Sequence, residues 1–158
     1  THPEVVKGVH RDYLEAGAHI IITNTYGTNR HILAAAGLEE KLEENNRSAV
    51  RLAREALEEF RDSGEVRDVL VAGSISIHAP GDEKAKLAGE VPWPAPEAEV
   101  ANYAEQARLL MDAGVDMIFI ELVWNLEHGE RVVQALASMP DTVPIFLGIT
   151  MFNDAICM

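Results

Sequence analysis

Three polar stretches each follow an apolar run, and they hold the side chains best suited to chemistry. Thr23-Asn24-Thr25-Tyr26 comes after an isoleucine-rich run, Gly73-Ser74-Ile75-Ser76 closes a run of valine and alanine, and Glu121 stands directly after Met117-Ile118-Phe119-Ile120. Thr150 and Asn153 follow a fourth run of the same kind. The set offers hydroxyls, amides and one carboxylate, which suits the holding of a small polar ligand. It is not a general acid/base pair, because no second carboxylate ends a neighbouring run. A carboxylate at the mouth of an apolar core tolerates its position only beside a cation or several donors. For Glu121 that cation is either a ligand ammonium group or an internal lysine or arginine. The candidate substrate-binding residues are therefore Glu121, Asn24, Thr25 and Ser74, and none of the four is assigned a catalytic role.

Other groups carry weaker signals. His78 with Asp82 and Glu83 matches no standard metal-ligand spacing, so no metal site is assigned there. His2, His10, His19, His31 and His128 are scattered along helical stretches or a strand start, where solvated or capping roles are expected. Trp93, between two prolines, reads as packing. Gly73-Ser74 lacks both the glycine spacing of a phosphate-binding loop and the flanks of a nucleophile elbow. Cys157 is the single cysteine, so it makes no internal disulfide and cannot alone fill a tetrahedral zinc site.

The elements that must position these groups follow from periodicity. Thr1 and Glu4 form a capping box with Pro3 in the first turn, opening a helix with an apolar face of Val5, Val6, Val9, Tyr13 and Leu14 that stops at Gly17. Ala18 to Thr23 reads as a strand buried on both faces. A short helix spans Thr28 to Ala36, and a longer one runs from about Asn45 to Asp62 with Ala49, Val50, Ala53, Leu57 and Phe60 as its stripe. Val69 to Gly73, running into Ser76, is the second strand. The stretch 77–96 holds Pro80, Pro92, Pro94 and Pro96, which forbids a helix there, and it is long enough for a lid or binding loop. Glu97 to Ala113 is helical, Val115 to Ile120 a third strand, Leu126 to Ser138 a fourth long helix and Pro144 to Thr150 a fourth strand.

Helix and strand thus alternate four times, which predicts a parallel sheet with crossover helices, either an α/β barrel or a doubly wound sheet. In both, the loops at the carboxyl ends of the strands form the site, and every polar stretch named above falls at such an end. Ala16-Gly17-Ala18-His19 and Ala113-Gly114-Val115-Asp116 repeat one helix-to-strand turn, in which glycine takes the left-handed conformation.

Composition narrows the function classes. The 158 residues are 47% apolar and 25% charged, with 13 basic against 26 acidic side chains for a formal charge of −13. One domain, 1–158, is expected. The acidic surplus repels phosphate backbones and anionic lipid, and no basic run offsets it, so neither nucleic acid nor membrane is an expected partner. No apolar stretch reaches the roughly 18 residues of a membrane span. Nothing at the start reads as an export signal, so a cytoplasmic location is expected, and the glycosylation pattern Asn46-Arg47-Ser48 is discounted inside its helix.

Taken in order, His10-x-Asp12-Tyr13-Leu14-x-Ala16-Gly17-Ala18-x-Ile20, Thr23-Asn24-Thr25-Tyr26, Ala72-Gly73-Ser74-Ile75, Ala113-Gly114-Val115-Asp116 and the strand-end Glu121 resemble the homocysteine S-methyltransferase family over about Thr1 to Thr150. The resemblance implies a (β/α) barrel of TIM type, of which this length holds about half, strands two to five. It implies methyl transfer to the thiol of homocysteine, giving methionine, with a methyl donor as second substrate and a zinc ion on three cysteines that makes the thiolate. Glu121 matches the family glutamate that partners the homocysteine amino group, and Asn24 and Ser74 fall on strand ends lining that pocket. Cys157 stands in neither cysteine context of the family, and Glu121-Leu122 replaces its usual Glu-Thr pair. The zinc ligands are thus expected outside this chain, activity of the isolated residues is expected to be absent or very weak, and self-association or pairing with a missing remainder of the barrel is expected. The alternative is a non-catalytic half-barrel assembly or small-ligand binding module.

Overall fold

The apolar runs become four parallel strands: β1 (Ile20–Ile22), β2 (Leu70–Ser76), β3 (Met117–Val123) and β4 (Ile145–Ile149), lying side by side in sequence order. Parallel neighbours require a crossover, and helices supply it. Helix α1 (Pro3–Glu15) precedes β1; α2 (Arg30–Ala35), a 3-10 turn (Glu39–Lys41) and α3 (Leu42–Asp62) join β1 to β2; α4 (Pro96–Asp112) joins β2 to β3; α5 (Leu126–Ala137) joins β3 to β4. The computed structural model describes residues 2–64, 67–80, 93–139 and 143–150. The expected Thr1 cap, most of the proline-rich stretch 77–96 with Asp82 and Glu83, and Asn153 and Cys157 lie outside the described residues.

The sheet is an α/β sheet with its core on the helix side. Val50, Ala53 and Leu57 of α3, Tyr103, Ala107 and Leu110 of α4, and Val132, Ala135 and Leu136 of α5 close over Val71, Ile75, Ile118 and Ile120. Gly73 lets α4 come down onto β2, since a Cβ there would meet Leu110 Cδ1 at 3.1 Å and Ile118 Cδ1 at 3.2 Å. Gly17 and Gly114 hold left-handed φ values of 102° and 94°, ending α1 and α4 so that the chain can enter a strand.

Asp116 fastens the amino ends of the strands. Its carboxylate accepts from Val71 N at 2.7 Å and from Arg54 at 2.7 Å. Burial pushes this carboxyl up, but the hydrogen bonds from Arg54 and Val71 outweigh it and hold the group below its ordinary range. The Ala113-Gly114-Val115-Asp116 turn is therefore structural, at the end of the sheet away from the candidate site.

Three expectations need correction. β1 is three residues long and buried on one face only: Ile21 is 3% exposed, but Ile20 and Ile22 are 45% and 39% exposed. As an edge strand it alternates, and only the side facing the helices is covered. β3 continues past Glu121 to Val123, so Glu121 sits within the strand, in register with Ser76. The pairing of β3 with β4 shifts between Ile120 and Val123, and Leu122 adopts φ 59°, a left-handed value uncommon for a branched residue. The apolar stripe of α1 is also incompletely used: His10 and Leu14 are buried, whereas Val5, Val9 and Tyr13 stay open. Among the described residues, no helix is long and apolar enough to cross a membrane.

Candidate functional site

The carboxyl ends of β1, β2 and β3 meet through a network of short hydrogen bonds. Thr25 donates its hydroxyl to Ser74 O at 2.7 Å, which leaves the 2.8 Å Thr23–Thr25 contact to be made by the Thr23 hydroxyl as donor. Thr23 Oγ1 in turn accepts from Ser74 N at 3.1 Å. Both threonine protons are thereby committed, and the tip of β1 is fixed to that of β2. Ser74 carries the chain one strand further: its buried hydroxyl donates to Glu121 Oε1 at 2.5 Å. A charge-assisted bond of this kind is among the stronger ones available.

Glu121 is half-buried, and among the described residues no lysine or arginine pairs with it. Of the two partners that the residue pattern allowed, the internal cation is not found among the described residues. The Tyr26 ring lies 5.5 Å from that of His78. Burial and the Glu121 charge both raise the Tyr26 hydroxyl above its ordinary value, so it stays a neutral donor near the carboxylate. Ser76 completes this rim, donating to Tyr26 O at 2.6 Å and accepting from His78 N at 3.3 Å.

Of the four candidate residues, the structure brings Ser74 and Glu121 into direct contact and sets Thr25 beneath them, fully buried with its hydroxyl occupied. Asn24 is exposed at the end of β1, where it lines a groove of about 550 Å³ shared with Val5, Val9, Tyr13 and Ile22. Thr150 donates its backbone N–H to Val123 O at 3.0 Å, extending the β3–β4 pairing. Beneath the tips, Gln106 of α4 and Asn46 of α3 hold the 25–28 turn: Gln106 Nε2 donates to Thr25 O at 2.9 Å, and Asn46 Nδ2 to Thr28 O at 3.0 Å. Neither was expected at the site, Asn46 having stood out only in a discounted glycosylation pattern, because an amide inside a charged helix looks like part of the solvated face. The available signal was their place on the apolar stripes, next to Val50 and Leu110.

A second polar cluster closes the gap between the first turns of α4 and α5. Glu99, fully buried, receives Arg131 at 2.7 Å, Tyr103 at 3.0 Å and His128 Nδ1 at 2.8 Å. Burial alone would raise the Glu99 carboxyl, but its bonds to His128, Arg131 and Tyr103 hold it low. Trp93 stacks on the His128 ring at 3.8 Å. His31 lies edge-on to Tyr103 at 5.4 Å, and neither of its ring nitrogens finds a partner among the described residues. His31 and His128 are thus buried rather than solvated, contrary to expectation, since helices α2, α4 and α5 start side by side at this end of the sheet. Glu99–Tyr103 and His128–Arg131, at helical spacings of four and three, were the legible traces of this cluster.

What the strand tips can do is bind and orient. Among the described residues no three His, Cys, Asp or Glu side chains converge as a metal ion needs. The donors present are hydroxyls, an amide and one carboxylate already tied to a serine, a set that does not fit zinc.

Comparison with known proteins gives concordant results. A family model described as homocysteine S-methyltransferase matches residues 1–157. Among solved structures, the oxidised form of the homocysteine methyltransferase MmuM from Escherichia coli is 31% identical with a TM-score of 0.73, over 91% of this chain and 50% of that one. Its metallated form gives 31% identity and 0.73, over 91% and 51%. Its apo form gives 26% and 0.69, over 94% and 50%. The chain therefore spans about half the length of these solved relatives.

Proposed function

The chain belongs to the homocysteine S-methyltransferase family, and from that membership we propose that its strand tips supply the amino-acid end of a homocysteine pocket. Glu121 takes the ammonium group, Ser74 holds the carboxylate in place, Thr25 sets the position of Ser74, and Asn24 contributes an amide at the rim. The observation that carries this reading is the 2.5 Å bond from Ser74 to a half-buried Glu121 that lacks a protein cation among the described residues. A carboxylate so placed has one oxygen satisfied and the other ready for a cationic guest.

The reaction in which such a pocket serves is methyl transfer to sulfur. The S–CH3 bond forms as the bond from the methyl group to the donor breaks, and the thiol gives up its proton. The tips orient the nucleophile by holding the far end of the amino acid, which lowers the entropic part of the barrel's task. Thiol activation is a separate matter. The family is expected to use zinc for it, but the described residues do not fit that ion, so the chemistry assigned to this chain is substrate positioning. In the complete enzyme, methionine formation would follow, with a cytoplasmic setting the expected one.

The architecture proposed for the whole is an eight-stranded (β/α) barrel in which β1 to β4 are strands two to five. The open outer sides of β1 and β4 support it, since each exposes isoleucines that a further strand-helix unit would cover. They equally favour the second reading, a half-barrel assembly without catalysis. Calorimetry separates the two. Homocysteine is expected to bind the chain, and Glu121→Gln to weaken it about 100-fold by loss of a charge-assisted contact. The same variant should leave 4-mercaptobutanoate, which lacks the amino group, unchanged. Equal homocysteine affinity in wild type and variant would overturn the assignment of Glu121.

A further inference from the structure

We propose that Gln106, remote from the ligand and wholly buried, is a positioning residue for Glu121; this rests on the reading of Glu121 as the ammonium partner. Gln106 spends only one side of its amide. Its nitrogen faces four acceptors, Thr25 O at 2.9 Å, Thr28 Oγ1 at 3.3 Å, Asn46 Oδ1 at 3.3 Å and Ser74 O at 3.5 Å, while Oε1 is buried without a partner among the described residues. The orientation is dictated by this imbalance, because a flipped amide would turn its oxygen toward four other oxygens. A methionine or leucine would fill the same volume without leaving an acceptor unmet, so what the amide adds is its pair of N–H donors.

Those donors act on the residue that controls the site. Thr25, whose carbonyl Gln106 holds, passes its own hydroxyl to Ser74 O, and the Ser74 hydroxyl passes to Glu121 Oε1. From the other side Asn46 fixes the same turn through Thr28 O, its amide anchored to Leu42 O of its own helix. Three hydrogen-bonded steps thus run from the interior of α4 to the carboxylate. Thr28 also donates to Thr25 O, through its N–H at 3.2 Å and its hydroxyl at 3.0 Å. Loss of the first step therefore loosens the β1 tip rather than freeing it, lets Ser74 shift, and weakens the short bond to Glu121.

The test uses the full chain with carboxylate-labelled glutamate, Glu121 being identified by the signal missing in Glu121→Gln. Gln106→Met is expected to move the Glu121 carboxylate carbon resonance in the same direction as Ser74→Ala, and Thr25→Val, which cuts the same path one step later, to do likewise. Val132→Ala, a core truncation in α5, should reduce stability yet leave that resonance in place. Homocysteine affinity should fall about 10-fold in Gln106→Met, with 4-mercaptobutanoate little affected. A folded Gln106→Met or Thr25→Val chain whose Glu121 resonance matches wild type would overturn the proposal. If the resonance moves but wild type does not bind homocysteine, the positioning role stands and the assignment of the pocket falls.

Discussion

His31 carries a consequence for pH. Burial pushes its imidazole down to about 4, well below the ordinary value near 6.5. The unfolded chain therefore takes up a proton before the folded one does as the solution is acidified. Stability from this residue is complete above pH about 6.5 and is lost progressively toward pH 4, to a limit of about 3 kcal/mol. His31→Phe, which keeps a ring against Tyr103 and cannot protonate, should flatten the melting temperature between pH 4 and 6.5; an unchanged slope would assign the acid sensitivity elsewhere. Single residues were unevenly legible. Glu121 and Ser74 stood out because a polar group ending an apolar run has no packing reason to be there, and they are in contact. Thr25 looked the same from its position, yet its hydroxyl is consumed inside the network. His31 was indistinguishable from a surface histidine, since its burial depends on α4 and α5, far away along the chain.

At the scale of elements, α4 and α5 are joined by charge as much as by apolar contact. Glu99 lies wholly inside, so removing it takes the buried acceptor from Arg131 and His128 and leaves Arg131 only the exposed Glu127. Glu99→Ala is expected to cost about 3–5 kcal/mol in denaturant unfolding, whereas Glu99→Gln, which keeps the Tyr103 and Arg131 acceptor, should cost less. The α5 start also leans closely on β3: a Cβ at Gly129 would approach Val123 Cγ1 to 2.9 Å. Gly129→Ala is therefore expected to destabilise by roughly 1–3 kcal/mol, against the gain alanine normally brings to a helix interior. The alternation of helix and strand was readable because apolar periods of two kinds follow each other cleanly. Strand ends were not. β3 outruns its apolar run because the shift at Leu122 lets pairing with β4 resume at Val123, and β1 falls short because an edge strand has one neighbour to define its length.

For the whole molecule, the open flanks dominate. Ile20 and Ile22 on one side, and Ile145, Phe146, Leu147 and Ile149 on the other, are all between 39% and 55% exposed, an amount of apolar edge that a free-standing sheet rarely leaves uncovered. The isolated chain is expected to sediment above its 17.3 kDa monomer mass. Added salt should favour association by screening the formal charge of −13, and Phe146→Lys with Ile149→Lys should reverse it; a monomer at every salt concentration would count against the exposed flanks as sticky surfaces. The sheet's extent was readable from four apolar runs, but which faces stay bare was not, since that depends on neighbours no single run describes. The stacking of Trp93 on His128, with Trp124 centred 6.5 Å from the same ring, has a practical corollary. Both indoles of the chain report from one corner, beside the same histidine ring. A fluorescence melt would watch that corner alone and stay blind to fraying at α1 and β1, which circular dichroism would record as an earlier, separate loss of signal.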